Sequence, residues 1–292
     1  MKKALSSAAW TGPLFVVLSA VAWSFSGVLS QGLMWNGFTK TGVRGIVASL
    51  IFAAFRKSFK VKITFGLVLG ALGVALTSLL YMSATLYTSA SNAIVLQYSM
   101  PAYVILLNLL VFHQKPRLRD IITVVFVMLG VVLCCMEGLR GDKDSMFGNL
   151  LGLLSGLTFA LVFFASRLPG CDSISYSYFG NVLSIVMTVS LFFDPNVHFV
   201  PTETYTSSMI AMDFTKGILL GVSLGLGYLF FSLGIKRTSA VSAAIITNLE
   251  PVLNPVWVFV FMGVQPGILG ILGALIVLLT VTLHSIVPHR AK

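Results

Sequence analysis

The sequence predicts an all-α integral membrane protein: ten transmembrane helices arranged as two inverted five-helix repeats. Three observations carry this. Hydrophobic residues make up 57% of the 292 residues and charged residues only 10%, at a mean hydropathy of +0.96, whereas a soluble domain carries about 25% charged residues. Ten apolar segments are long enough to span roughly 30 Å of hydrocarbon, which takes about 20 helical residues. One phrase also occurs twice: Thr88-Ser89-Ala90 leads through an apolar run to Pro101, and Thr238-Ser239-Ala240 leads likewise to Pro251. The register is unbroken, with Ala93 matching Ala243, Val95 matching Ile245 and Pro116 matching Pro266. Repetition on this scale marks a duplicated structural unit.

The first span, 13–35, follows Lys2 and Lys3 and so begins like a signal peptide. Its apolar run exceeds the roughly 7–15 residues of a signal core. Leu18-Ser19-Ala20 also has a counterpart in Leu154-Ser155-Gly156, so the segment is expected to remain as a membrane helix. The second span, 38–55, carries Lys40 and Arg44. The third, 64–86, carries Gly66, Gly70 and Gly73, small residues that let helices approach closely. The fourth, 90–112, is the repeated phrase, and the fifth, 118–136, holds Cys134 and Cys135. Glu137–Asp144, with Gly138 and Gly141, reads as a hydrophilic turn between the halves, which divides the chain into repeats 1–140 and 141–292. The sixth and seventh spans are 147–167 and 173–193. A loop from Asp194 to Asp213 follows, with Pro195, Pro201 and Glu203. The eighth span, 214–234, repeats the small-residue pattern at Gly221, Gly225 and Gly227. The ninth, 239–262, is the second copy of the phrase, and the tenth is 267–287.

Basic residues orient the chain. With ten spans and the N-terminus inside, Lys2, Lys3, the Arg56–Lys62 and Lys115–Arg119 runs, Arg167, Lys236, Arg237, Arg290 and Lys292 fall on the cytoplasmic side. Only Lys40, Arg140, Lys143 and Lys216 fall outside. That bias follows the positive-inside rule and predicts a multi-pass protein of the inner (plasma) membrane with both termini cytoplasmic. It also explains the net charge of +10 without nucleic acid, which is not expected as a partner. Five helices are an odd number, so the second half enters the membrane from the opposite side. The halves are then related by a pseudo-two-fold axis in the membrane plane, where a midplane site open alternately to each side can form.

At this point the residues resemble a known family. Two five-helix halves, each with a Thr-Ser-Ala opening and a mid-helix proline, are similar to the EamA-type proteins of the drug/metabolite transporter superfamily. Asn248-Leu249-Glu250-Pro251-Val252 looks like the family's Leu-Glu-Pro-Val phrase, and Arg44 matches an arginine often found in the second helix. The family's Gly-Glu pair after the fourth and ninth helices is replaced here by His113-Gln114-Lys115 and Gly263-Val264-Gln265. The resemblance implies transport without identifying the small-molecule substrate, and the Glu250 carboxyl makes protons a candidate coupling ion. Its members move amino acids, other metabolites, nucleotide-sugar-like compounds or drugs.

Glu250 is the only acid near the middle of a predicted span, Asp120 standing at the start of the fifth. A charge at a helix centre costs about 2.5–3.5 kcal/mol on insertion scales, so it is expected to face the bundle interior or a water-filled cavity, as a coupling residue or a substrate counter-ion. The alternative is a structural carboxyl hydrogen-bonded to a neighbouring helix. Pro101 and Pro251 each remove a donor in mid-helix, freeing the carbonyls of Gln97 and Thr247, so breaks or kinks beside a cavity are expected there. Trp23, Tyr81, Gln97, Tyr98, Tyr228 and Asn248 lie at matching depths and complete the candidate substrate-binding set with Glu250. Trp10 and Trp35 are expected in the interfacial belt, and Arg44 is expected to snorkel outward, with an anion contact as the alternative.

No enzyme signature, cofactor motif or metal-ligand spacing is present, and no Gly-Lys-Ser/Thr loop for ATP. The sequence therefore predicts a secondary transporter of a small metabolite, an amino acid or related amine, since little embedded charge argues against strongly anionic cargo. The alternatives are a multidrug or quaternary-cation exporter and, in another class, a channel or scaffold. Monomer and homodimer are both left open.

Overall fold

Residues 2–30, 33–56, 61–88, 90–136, 146–263 and 267–286 are described by a computed structural model. The turn at Glu137–Asp144, and with it the boundary between the repeats, lies outside the described residues, as do Ser89 and Val264–Pro266. Helical structure stands at each of the ten expected places. In chain order it comprises α1 (Lys2–Ser30), α2 (Gly37–Phe55), α3 (Phe65–Tyr87), α4 (Ala90–Gln97), α5 (Met100–Phe112), α6 (Leu118–Cys135), α7 (Met146–Ala165), α8 (Ser173–Ile185), α9 (Ser207–Gly234), α10 (Ala240–Thr247), α11 (Leu249–Met262) and α12 (Ile268–Ile286). A 3-10 segment, Val186–Phe192, continues α8. Eight spans among the described residues are long and apolar enough to cross a membrane, and the apolar run Ile268–His284 is a shorter one. The protein is a multi-pass membrane protein.

Side-chain caps set where several helices begin, satisfying backbone donors that have no partner inside the helix. Asn36 accepts from the Thr39 amide at 2.9 Å at the head of α2, and Asp172 from the Ser175 amide at 3.0 Å at the head of α8. Ser239, in the second copy of the repeated phrase, accepts from the Ser242 amide at 3.0 Å and opens α10. The helix ends repeat too. α5 stops at His113 (φ 52°) and α11 at Gly263 (φ 71°), both left-handed. Glycine takes that conformation freely, while histidine does so at some cost.

The fourth and ninth spans are interrupted as expected. α4 gives way to α5 at Tyr98-Ser99, and α10 to α11 at Asn248. Each break lies just ahead of its proline, because the ring clashes with the turn before it and the missing donor sits at the start of the new helix, where none is needed.

Packing between the halves follows the repeat. α3 lies along α7, and its counterpart α9 lies along α1. α2 packs on α9, and α8, its counterpart, packs on α3. α6 packs on α12, its own equivalent. These cross-half contacts return under exchange of the halves, as a two-fold relation requires. Glycines permit the close approaches: at Gly180 of α8 a Cβ would stand 2.6 Å from the Val74 Cβ of α3.

Three expectations need correction. α1 ends at Ser30 rather than at 35, and Trp35 is 1% exposed against Phe214 (ring centroids 5.1 Å apart), so it packs inside the bundle and not in the lipid belt. α9 begins at Ser207, seven residues before the expected 214, because Thr206 caps it. The earlier start brings Asp213 into a helix, buried and accepting a hydrogen bond from the Tyr205 hydroxyl, so Glu250 is not the only acid in these helices.

At the loop between α7 and α8, Lys236 pairs with Asp172 at 2.6 Å. Burial pushes the Asp172 carboxyl up, but hydrogen bonds from Lys236 and Ser175 outweigh it and hold the group below its ordinary value. A carboxyl so depressed contributes stability that is complete above its unfolded value, about 4, and is lost as pH falls through the lower folded one. Both side chains are 45% exposed, so solvent screening limits the contribution to less than about 1 kcal/mol. Asp172→Asn, which keeps the cap, is expected to lower the unfolding midpoint slightly at pH 7, with the difference vanishing toward pH 2. A deficit undiminished at pH 2 would assign the effect to something other than this charge.

Candidate functional site

The two helix breaks meet at the centre of the bundle. Tyr98, at the break before α5, is 1% exposed and donates its hydroxyl to the Glu250 carboxylate in the first turn of α11. The bond joins the broken helix of one repeat to the broken helix of the other. Beside it lies a cavity of about 50 Å3 lined by Trp23 and Ser26 from α1, Arg44 from α2, Thr77, Ser78, Tyr81 and Met82 from α3, Gln97 from α4, Phe159 from α7, Leu224 and Tyr228 from α9, and Glu250. That volume holds a few water molecules. A metabolite enters only if the walls part.

Rings form the cavity's structural frame. Trp23 is 2% exposed, with its ring edge-on to Phe159 at 5.6 Å and to Tyr228 at 5.1 Å, and tilted against Phe231 at 5.7 Å. The indole lies over Gly227, where a Cβ would fall on the ring. The Arg44 guanidinium carbon stands 5.5 Å from the Tyr228 ring centroid, and Arg44 is 1% exposed. The Thr77 hydroxyl lies 2.6 Å from the Gly73 carbonyl and 3.0 Å from the Thr158 hydroxyl, tying α3 to α7 beside the cavity.

Of the seven residues singled out from the sequence, Trp23, Tyr81, Gln97, Tyr228 and Glu250 line this cavity, and Tyr98 touches it through Glu250. Asn248 does not. It is fully buried, and its Nδ2 donates to the Ala244 carbonyl at 2.8 Å, bracing the end of α10. Pro101 and Pro251 are buried and do not line it. Arg44 does not snorkel. Its helix is enclosed by α8 and α9, so the guanidinium turns inward to the Tyr228 ring. Ser26, Thr77, Ser78, Met82 and Leu224 carry no chemical signal in the sequence that distinguishes them from ordinary helix residues. Among the described residues no group of three or more His, Cys, Asp or Glu is placed to hold a metal ion.

Comparison with known proteins agrees with this architecture. The family model described as the EamA-like transporter family matches residues 10–136 and 146–286. An uncharacterized transporter of Clostridium kluyveri is 21% identical over 291 residues, covering 92% of this chain and 91% of its own length. An uncharacterized transporter of Archaeoglobus fulgidus is 23% identical over 286 residues, covering 94% and 98%. A solved crystal structure shares the fold at a TM-score of 0.76, with 15% identity over 96% of this chain and 99% of that one.

Proposed function

Because this chain belongs to the EamA-like transporter family, we propose that it is a secondary transporter of a small metabolite, an amino acid or related amine, working by alternating access across the inner membrane with both termini cytoplasmic. The observation that carries the reading is the Tyr98–Glu250 bond at the meeting of the two breaks, beside a constricted cavity lined from both halves. An ionisable group at this depth marks a substrate or proton path more often than a packing position. Glu250 then acts as counter-ion or proton carrier. Opposed breaks in repeat-related helices supply the two-sided hinge that alternating access uses.

A second reading is a quaternary-cation or multidrug exporter. Trp23, Tyr81, Phe159 and Tyr228 share the cavity with Glu250, and aromatic faces attract cations. Arg44 in the same lining works against a bare cation.

Reconstituted protein tests the carrier against a channel or scaffold. Vesicles loaded with unlabelled substrate are expected to take up labelled substrate transiently above equilibrium, with a saturable rate. Linear flux without counterflow would leave the chain in its family and remove the carrier mechanism.

A further inference from the structure

We infer that a lateral groove between α3 and α8 holds an anionic phospholipid, with an acyl chain along the groove and the phosphate at Arg56. The groove shares no lining residue with the central cavity. Its volume is about 410 Å3, and every side chain lining it is apolar. Val61 and Ile63 lead into it ahead of α3, Val68 and Leu72 follow one turn apart on α3, and Phe179 and Leu183 stand one turn apart on α8. Val68, Leu72 and Leu183 are exposed, so the groove opens on the outside of the bundle. An apolar cavity of about 150 Å3 already takes up benzene. A larger one, open to the bilayer, suits a hydrocarbon chain and not a polar solute.

Charge selects the lipid. Arg56 ends α2, and its guanidinium carbon stands 5.0 Å from the Tyr178 ring centroid and 5.7 Å from that of Phe179. Phe179 therefore has two contacts: its ring lines the groove and also carries the guanidinium beside it. A guanidinium stacked by its face can meet phosphate oxygens with its N–H edge. Cation and apolar wall are thus placed as the headgroup and chain of one phospholipid require. On the topology proposed above, on which this inference rests, the α2–α3 connection is cytoplasmic, the side whose leaflet carries anionic lipid and a negative surface potential. A zwitterionic headgroup adds a cation next to the same phosphate, and beside an arginine that cation is repelled.

The test titrates the full chain in micelles with phosphatidylglycerol or phosphatidylcholine of identical acyl chains, and with inorganic phosphate alone. Native mass spectrometry reads bound lipid and oligomeric state together. Phosphatidylglycerol is expected to bind on the order of fivefold more tightly than phosphatidylcholine. Arg56→Gln is expected to bring that ratio to about 1. Lys62→Gln removes an exposed charge outside the lining and is expected to change the ratio by less than about twofold. Leu72→Trp, which fills the groove, is expected to weaken both lipids. Equal binding of the two lipids, or an equal effect of Lys62→Gln and Arg56→Gln, would overturn the proposal. So would displacement of the lipid by inorganic phosphate, which would assign a soluble anion, or a dimer without bound lipid, which would assign a second copy of the chain. The lipid comparison uses the unmodified protein, so it decides even if a variant fails to fold. Binding in micelles does not depend on transport: each of these failures leaves the carrier standing, and absence of counterflow with lipid still bound removes the carrier alone.

Discussion

Glu250→Gln is expected to insert and fold like the parent and to lose proton-driven accumulation of substrate. Glutamine keeps the side-chain shape, and its amide oxygen still accepts from the Tyr98 hydroxyl, so the contact across the two breaks survives. What disappears is the ability to ionise. If one proton moves with each substrate, a gradient of one pH unit supports about tenfold accumulation, the equivalent of about 1.36 kcal/mol. In Glu250→Gln the accumulation ratio is expected to fall to about 1 and to stay there at any imposed gradient, while downhill exchange persists. Uptake against a pH gradient in sealed vesicles measures this. Parent-like accumulation with an unchanged pH profile would take Glu250 out of coupling and return it to a structural role.

The largest loss of stability is expected from Trp23→Ala. The indole is 2% exposed and touches three rings on two helices of the other repeat, Phe159 on α7 and Tyr228 and Phe231 on α9. Deleting a buried aromatic of this size costs about 3–5 kcal/mol, since the surroundings fill the void only in part. Aromatic edge contacts add about 0.5–1.5 kcal/mol each. Trp23→Phe, which retains a ring in the same place, is expected to lose less than half as much. Reversible unfolding in mixed detergent micelles reads both. A loss under about 1 kcal/mol in Trp23→Ala would mean that the α1–α9 face holds without the indole.

The sequence revealed what depends on periodicity and on proline. Length and hydropathy located most helix ends to within a few residues, the exceptions being the starts of α1 at Lys2 and of α9 at Ser207. Pro101 and Pro251 located both breaks, since a missing donor and a ring clash act wherever the chain folds as a helix. The duplicated phrase carried the two-fold relation, which returns in the packing of α3 on α7 and α1 on α9. What stayed hidden was rotation about each helix axis and the company each face keeps. Arg44 lies one turn inside a helix end, where the long side chain reaches either water or the interior, and only the enclosure of α2 by α8 and α9 decides for the interior. Trp35 was misplaced for the same reason: it lies beyond the end of α1, and Phe214 of α9 covers it. Asn248 shares the depth of Glu250 but turns back on its own helix. Ser26, Thr77 and Ser78 reach the cavity solely because of the direction in which their helices face it.

In the proposed alternating-access cycle, one midplane cavity between the repeats is reached from each side of the membrane in turn. Ser78→Cys places a thiol in that lining, with the three native cysteines, Cys134, Cys135 and Cys171, replaced first. Among these, the Cys171 thiol is already pushed up to about 11 by burial and by the Asp172 carboxylate, which keeps it protonated at neutral pH. A bulky membrane-impermeant thiol reagent is then applied to right-side-out and to inside-out vesicles in separate experiments. Alternating access predicts labelling from both sides, protection by substrate, and no passage of the reagent across the membrane. Labelling from one side only, or leakage of the reagent through the protein, would contradict it.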